Sequence, residues 1–573
     1  MKQIIKLLGK YKKEAILGPL FKLLEATFEL LVPLAVASLI DTGIGNNDKT
    51  HITKMFFILV LLALVGLASS VTAQYFAAKA AVGVGTGLRS ALFKKIQSLS
   101  FSELDNLGAS TMITRMTSDV NQVQNGVNLF LRLFLRSPFI VFGAMIMAFT
   151  IDVKSALVFV GAIPALAIVV FAIMLISIPL YKQVQNFLDK VTAKTRENLT
   201  GVRVIRAFCR EEQEVSEFKG INEELTDAQK YVGKISALMN PVTYIIINIA
   251  IVILIYTGAI RVEQGLITQG AVVALYNYMS QILVELIKLA NLIIVITKSV
   301  ACANRTESIL ETESTLQSLP QDKIETENYI DFVNVALTYK NAGEESLSDI
   351  TFGVKKGETI GIIGGTGSGK SSLVNLIPHF YDCTKGGVYV EGLNVKSYNP
   401  EQLRDKIAIV LQKAVLFKGT IRENILWGNG NATDKDIENA LNLAQATDVV
   451  ASKANGLNEV IEQGGKNLSG GQRQRLTIAR ALVKKPEILI LDDSASALDY
   501  ATDAKLRQAL KSLKNTTVFI VSQRTSSIMH ADKIIVLDDG KIAGIGTHTQ
   551  LLKTCEEYQE IYNSQTDGQV NSQ

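Results

Sequence analysis

The sequence predicts an all-α membrane domain of six spanning helices, followed by an α/β domain built around a phosphate-binding loop. Three observations carry this. Every apolar segment long enough to cross a bilayer, which takes about 20 helical residues, lies in the first half of the 573-residue chain. From about residue 325 onward the pattern changes to short strands, glycine-rich turns and amphipathic helices. Within that second half, Gly364-Gly365-Thr366-Gly367-Ser368-Gly369-Lys370-Ser371 reads as a complete G-x-x-x-x-G-K-S loop.

Six apolar segments run roughly over 15–43, 53–80, 127–150, 155–180, 239–261 and 270–298, the third carrying Arg132 and Arg136 near its start. The composition agrees, with 48% hydrophobic residues and a mean hydropathy of +0.24. A net charge of +4 over this length is too diffuse for nucleic-acid binding. Cys209, Cys302, Cys383 and Cys555 are far apart with no C-x-x-C, and read as ordinary reduced thiols rather than a disulfide framework or a zinc site. Basic residues set the orientation. Lys2, Lys6, Lys10, Lys12 and Lys13 precede the first span, and the long loops at 81–126 and 181–238 are rich in Lys and Arg. The short loops near 44–52, 151–154 and 262–269 hold only Lys49 and Lys154, so both termini are expected in the cytoplasm. No cleavable signal peptide is expected, because the first apolar stretch runs on into a span. The domains are expected over 1–310 (membrane) and 326–573 (α/β), joined by a polar linker at 311–325 that contains Pro320.

The strand Thr359–Ile363 feeds the phosphate loop and a helix follows, which is the context the motif requires. There the glycines let backbone N–H groups converge on phosphate oxygens at the positive end of a helix. Lys370 can reach the β- and γ-phosphates, and the Ser371 hydroxyl can ligate Mg²⁺. Downstream, Ile488–Leu491 is an apolar strand ending in Asp492. Between loop and strand stands Leu468-Ser469-Gly470-Gly471-Gln472.

That order of motifs resembles the nucleotide-binding domain of ABC transporters, and the six spans with long cytoplasmic loops resemble an exporter half-transporter. The resemblance implies ATP and Mg²⁺ as ligands and makes the chain a transport ATPase. It assigns the phosphate loop Gly364–Ser371 and Ser372 to nucleotide, and Tyr339 to stacking on adenine. Asp492 and Gln412 join Ser371 around Mg²⁺, and Asp499 falls in the segment Ser496–Asp499 that crosses the dimer interface. Ser469, Gly470, Gly471 and Gln472 would cap the ATP held by a second half-transporter. The stretches 99–108 and 197–218 resemble the coupling regions that meet the ATPase, the first differing in the spacing of Gly108.

Two positions depart from the family pattern. Asp493 stands where the catalytic Glu is usual, and is shorter by one methylene. Gln523 replaces the expected His nine residues before Asp532, and has no titratable proton. Together they imply a pocket that binds ATP and hydrolyses it poorly, as in the degenerate subunit of heterodimeric bacterial multidrug exporters. A different partner subunit would supply the Glu and His opposite this chain's intact signature, and the cargo would be small and hydrophobic. Two alternatives remain open. One is a homodimeric exporter of drug or lipid with Asp493 as a slow base, and the other an ATP-gated channel or regulatory subunit. Within the spans, Lys22, Glu25 and Glu29 share one helical face, as do Glu285 and Lys288. They read either as a polar substrate path or as internal ion pairs.

Overall fold

The computed structural model describes residues 2–313, 316, 322–340 and 342–570, so part of the expected 311–325 linker, Pro320 included, lies outside the described residues. The chain forms two compact units, Met1–Gln97 with Ser110–Thr312, and Ser98–Ala109 with Glu313–Gln573.

Among the described residues of the first unit, six helical stretches are long and apolar enough to cross a membrane. They are Gln3–Ile44, Lys49–Ser98, Ala109–Ile151, Val153–Ala207, Glu211–Glu263 and Gln269–Glu311. The fourth has 55 residues. At 1.5 Å per residue it is about 80 Å long, against a hydrocarbon layer of about 30 Å. Each span therefore continues as helix well beyond its apolar part. Lipid offers no hydrophobic drive between helices, so packing relies on small residues that let backbones approach. Ala26, Ala144, Ala148, Ala156, Ala250 and Ala274 accordingly fill one buried cluster with Phe159 and Tyr278. Gly270 marks the closest approach: a Cβ there would stand 2.4 Å from the Ala37 carbonyl oxygen. Its amide donates to Asp41 Oδ1 at 2.7 Å. On the outside, Phe57, Leu61 and Leu64 form an exposed apolar stripe at helical spacing.

The second unit contains two main sheets. Its strands are β1 Ile330–Leu337, β2 Leu347–Val354, β3 Thr359–Gly364, β4 Lys385–Val390, β5 Leu393–Asn394 and β6 Ile407–Val410. They continue with β7 Gly419–Thr420, β8 Val460–Ile461, β9 Ile488–Asp492, β10 Thr517–Val521, β11 Lys533–Asp538 and β12 Lys541–Gly546. The larger sheet has the order β12-β11-β3-β10-β9-β6. All its pairs are parallel except β11 with β12. Strands β9 and β10 are buried at every residue, the signature of a parallel strand covered on both faces. The smaller sheet, β2-β1-β4-β5, is antiparallel. Ligands of open parallel sheets bind beyond the carboxyl ends of the strands. Here those ends deliver Gly364 from β3, Gln412 after β6, Asp492 from β9 and Gln523 after β10.

Candidate functional site

Beyond β3, β6, β9 and β10 lies a cavity of about 360 Å³, lined among others by Tyr339, Thr366, Gly367, Gly369, Lys370, Ser371, Ser372, Gln412, Asp492, Asp493 and Gln523. Lys370 opens the helix Lys370–Leu376. Its ammonium turns into the loop, donating to the carbonyls of Gly364 at 2.9 Å and Gly365 at 2.5 Å and to Ser368 Oγ at 3.3 Å. Gly369 has φ +90°, and a Cβ there would meet the Ser346 carbonyl oxygen at 2.7 Å, so only glycine keeps this turn. Gly367 also has positive φ but faces open space, leaving room for a ligand against the backbone.

The charges match a metal–phosphate ligand. Burial lowers the Lys370 ammonium pKa below its usual value, against the pull of Asp493 and Asp492. Burial raises the Asp492 carboxyl, the neighbouring Asp493 adds to this, and the Ser371 hydrogen bond opposes it. Ser371 Oγ donates to Asp492 Oδ1 at 2.9 Å, which places a hydroxyl and a carboxylate oxygen side by side. Such a small oxygen set is what Mg²⁺ takes from protein when phosphates complete its shell. The residues present therefore fit Mg²⁺ bound with a triphosphate.

Asp493 follows β9 with φ +45°, a left-handed conformation that Asp tolerates better than most residues. Its amide donates to the Val521 carbonyl at 3.0 Å. Gln412 Nε2 reaches Asp493 Oδ2 at 3.3 Å. Tyr339 is half-buried; its hydroxyl donates to Ser372 Oγ at 2.9 Å, and burial raises its pKa.

The signature residues are elsewhere. Ser469 caps the helix Gly470–Leu482: its Oγ accepts from the Gln472 amide at 3.2 Å, and its own amide donates to Gln472 Oε1 at 3.0 Å. None of Ser469, Gly470, Gly471 and Gln472 lines the cavity that holds Lys370, and neither does Asp499. Asp499 caps the helix Tyr500–Leu510, accepting from the Thr502 amide at 2.8 Å. The cap leaves the signature serine exposed at a helix N-terminus.

Comparison with known proteins decides the family. The ABC transporter transmembrane region matches residues 15–286, and the ABC transporter domain matches 347–496. The chain is 35% identical over 565 residues to YfiB of Bacillus subtilis, an uncharacterised ABC transporter ATP-binding protein, covering 99% of this chain and 98% of that one. This chain is an ABC transporter. It is also 31% identical over 585 residues to YgaD of B. subtilis, a putative multidrug export ATP-binding/permease protein, covering 99% of both. A bacterial Atm1-family ABC exporter with ATP bound shares the fold, with a TM-score of 0.81 at 22% identity over 97% of this chain and 98% of that chain. The ABC transporter is thus a multi-pass membrane protein whose α/β domain is an ATPase coupled to transport.

In this ABC transporter the first stretch expected to couple, 99–108, forms the short helix Phe101–Leu107, entered by a Ser100–Glu103 capping box and ended by Gly108 at φ +70°. It belongs to the same compact unit as the nucleotide cavity. Phe101 stacks on Phe380 at 4.3 Å, and Tyr381 donates to Asp105 Oδ2 at 2.6 Å. Tyr381 also meets Tyr339 edge-on at 5.1 Å. The second stretch is a tight corner: helix ends at Ala207, Cys209 takes φ +52°, and helix resumes at Glu211.

The ionisable groups Lys22, Glu25, Glu29, Glu285 and Lys288 in the spans are all paired. Lys22 bonds Glu25 at 2.5 Å and Ser70 at 3.1 Å. Arg136 bridges Glu29 and Glu285, each at 2.6 Å, while Lys288 reaches Glu285 at 2.8 Å. Sequence reasoning noted Arg136 only as an interruption of the third span; its role as hub had no sequence signal. It also missed Ser346, which lines the nucleotide cavity, and Tyr381.

Proposed function

We propose that the chain is one half of a heterodimeric exporter of small hydrophobic, drug-like compounds, with its own pocket holding ATP and Mg²⁺ but turning ATP over slowly. Both termini and the long basic loops lie in the cytoplasm. What supports this reading is the joint presence of Asp493 and Gln523 in the cavity of Lys370. A general base must come within about 3 Å of the water it activates. The shorter Asp493 side chain is withdrawn from that place, and Gln523 carries no proton to exchange.

Within the pocket, Lys370 and the loop amides bind and orient the triphosphate, and Tyr339 flanks the adenine. Bound Mg²⁺ would neutralise phosphate charge, with Ser371, Asp492 and Gln412 holding it. Ser469 and the amides of Gly470 and Gly471 serve the partner's ATP, where the partner supplies the Glu and the switch His. Closure of the two ATPase domains over two ATP molecules would draw the long helical extensions together and open the cavity outward. The cargo class rests on the likeness to the putative multidrug protein YgaD. A homodimer with Asp493 as a slow base has one observation in its favour: Asp493 does line the cavity.

The test is the Mg-ATPase rate of the full chain alone in nanodiscs, with ATP binding measured alongside. Tight binding with turnover far below 1 s⁻¹ is expected. Turnover of about 1 s⁻¹ or more, within the ordinary enzyme range, would hand the assignment to the homodimer.

A further inference from the structure

The C-terminal helix Glu556–Val570 is anchored by Tyr558, which is fully buried in the core of the ATPase unit and shares a 2.8 Å hydrogen bond with His548 Nδ1. Two helical turns beyond that anchor, Gln565 meets the segment that carries Gln523. Its Nε2 donates to the Gln523 carbonyl oxygen at 2.7 Å. Its Oε1 accepts from the Thr525 amide at 2.9 Å and from Thr525 Oγ1 at 2.9 Å. A side-chain amide carries the same donor and acceptor as a peptide group. Gln565 thus pairs with the backbone on both sides of Arg524, much as a residue on a neighbouring strand would. The partners dictate its orientation, since only the NH₂ group can face a carbonyl.

Thr525 is buried, so its two bonds to Gln565 are partly shielded from competing water, while the bond to the Gln523 carbonyl is exposed. The residue between the two contacts, Arg524, lies over the Tyr500 ring at 4.9 Å and points its guanidinium at the Leu498 and Ser496 carbonyls, each at 3.4 Å. One amide therefore holds a tripeptide whose first residue lines the nucleotide cavity. The second residue reaches the segment Ser496–Asp499. Nothing in the motifs of the ATPase accounts for a glutamine at this place on the last helix.

We propose that Gln565 is a positioning residue for the switch segment: by clamping the backbone of residues 523–525 it sets where Gln523 stands against bound nucleotide. This rests on the reading of the Lys370 cavity as an ATP site, and the test separates the two. The full-length chain in nanodiscs is compared with Gln565→Leu, with Gln565→Glu, and with Glu560→Gln as an exposed control on the same helix. Gln565→Glu keeps an acceptor for Thr525 but turns a second oxygen towards the Gln523 carbonyl.

Amide hydrogen exchange without nucleotide reads the clamp, and release of mant-ATP reads its consequence. Gln565→Leu is expected to speed exchange over 524–527 and mant-ATP release by about tenfold each, the scale set by losing a partly shielded hydrogen bond. Gln565→Glu shifts both in the same direction, and Glu560→Gln shifts neither. Exchange in β10 stays unchanged, which a general loss of stability would not allow. The proposal is overturned by unchanged exchange over 524–527, by equal acceleration in β10, or by unchanged mant-ATP release despite faster exchange. Failure of the wild-type chain to retain mant-ATP would sink the ATP-site reading, while exchange alone would still judge the clamp.

Discussion

At the scale of single residues, the proposed function turns on Asp493 and Gln523. Restoring the longer base and the titratable partner together, Asp493→Glu with Gln523→His, is expected to raise turnover of the chain alone by about a hundredfold, the usual range for a positioned general base. Each single change should give less, and steady-state ATPase rates in nanodiscs read the difference. The ordinary charges of the site also predict a pH dependence. Burial raises the folded pKa of Asp492 above 3.8, so its contribution to stability is present in acid and is lost as pH rises through that raised value. Lys370 has its pKa lowered from 10.5, so its contribution is present in alkali and is lost as pH falls through the lowered value. Between the two values both groups carry buried charge, and Mg-ATP supplies the missing counter-charges. The rise in thermal midpoint caused by Mg-ATP should therefore be greatest near neutrality and shrink as pH falls toward the raised pKa of Asp492. Scanning fluorimetry across pH measures it, and a shift independent of pH would count against Asp492 as a Mg²⁺ ligand.

At the scale of elements, the seven-residue helix Phe101–Leu107 makes contacts of different kind. Among them are the Phe101–Phe380 stack and the Tyr381–Asp105 hydrogen bond. An aromatic pair of this geometry contributes about 0.5–1.5 kcal/mol beyond its buried area. Phe101→Ala and Asp105→Ala are expected to leave ATP affinity within about twofold, a change well under the 1.4 kcal/mol that makes a factor of ten. Transport, and stimulation of ATPase by cargo, should fall with either substitution. Fluorescent-substrate flux in proteoliposomes against nucleotide affinity separates the two effects. Loss of ATP binding instead would mean that the helix merely supports the fold of the ATPase unit. Gly108 makes this helix short, because its φ of +70° turns the chain where another residue would strain it.

For the whole molecule, the proposed function has the chain's signature and its phosphate loop serve different ATP molecules. None of Ser469, Gly470, Gly471 and Gln472 lines the cavity of Lys370. In the assembled transporter the two sites should therefore respond unequally. Ser469→Ala with Gly471→Asp is expected to lower turnover by about a hundredfold, the scale reported for removing donors that stabilise transition-state charge. Lys370→Ala should cost far less if, as proposed, the pocket it disables contributes little hydrolysis. Equal losses from both would mean two equivalent catalytic sites and a homodimer.

Much of this was legible in the linear chain. The six spans, the phosphate loop, the strand ending in Asp492 and the departures at Asp493 and Gln523 are local features. Hydrophobic run length, glycine spacing and the order strand–loop–helix act over a few residues at a time, so the sequence itself determined them. Pairings between distant side chains are a different matter. Arg136 meets Glu285 across 149 residues, Tyr381 meets Asp105 across 276, and Gln565 meets Gln523 across 42. No local period encodes such pairs. Helix packing in the membrane unit decided the first. The second needed the Phe101–Leu107 helix to fold into the ATPase unit, and the third needed Tyr558 to fix the last helix in its core. A buried polar group must find its partner wherever the fold brings one, and only the tertiary structure chose which.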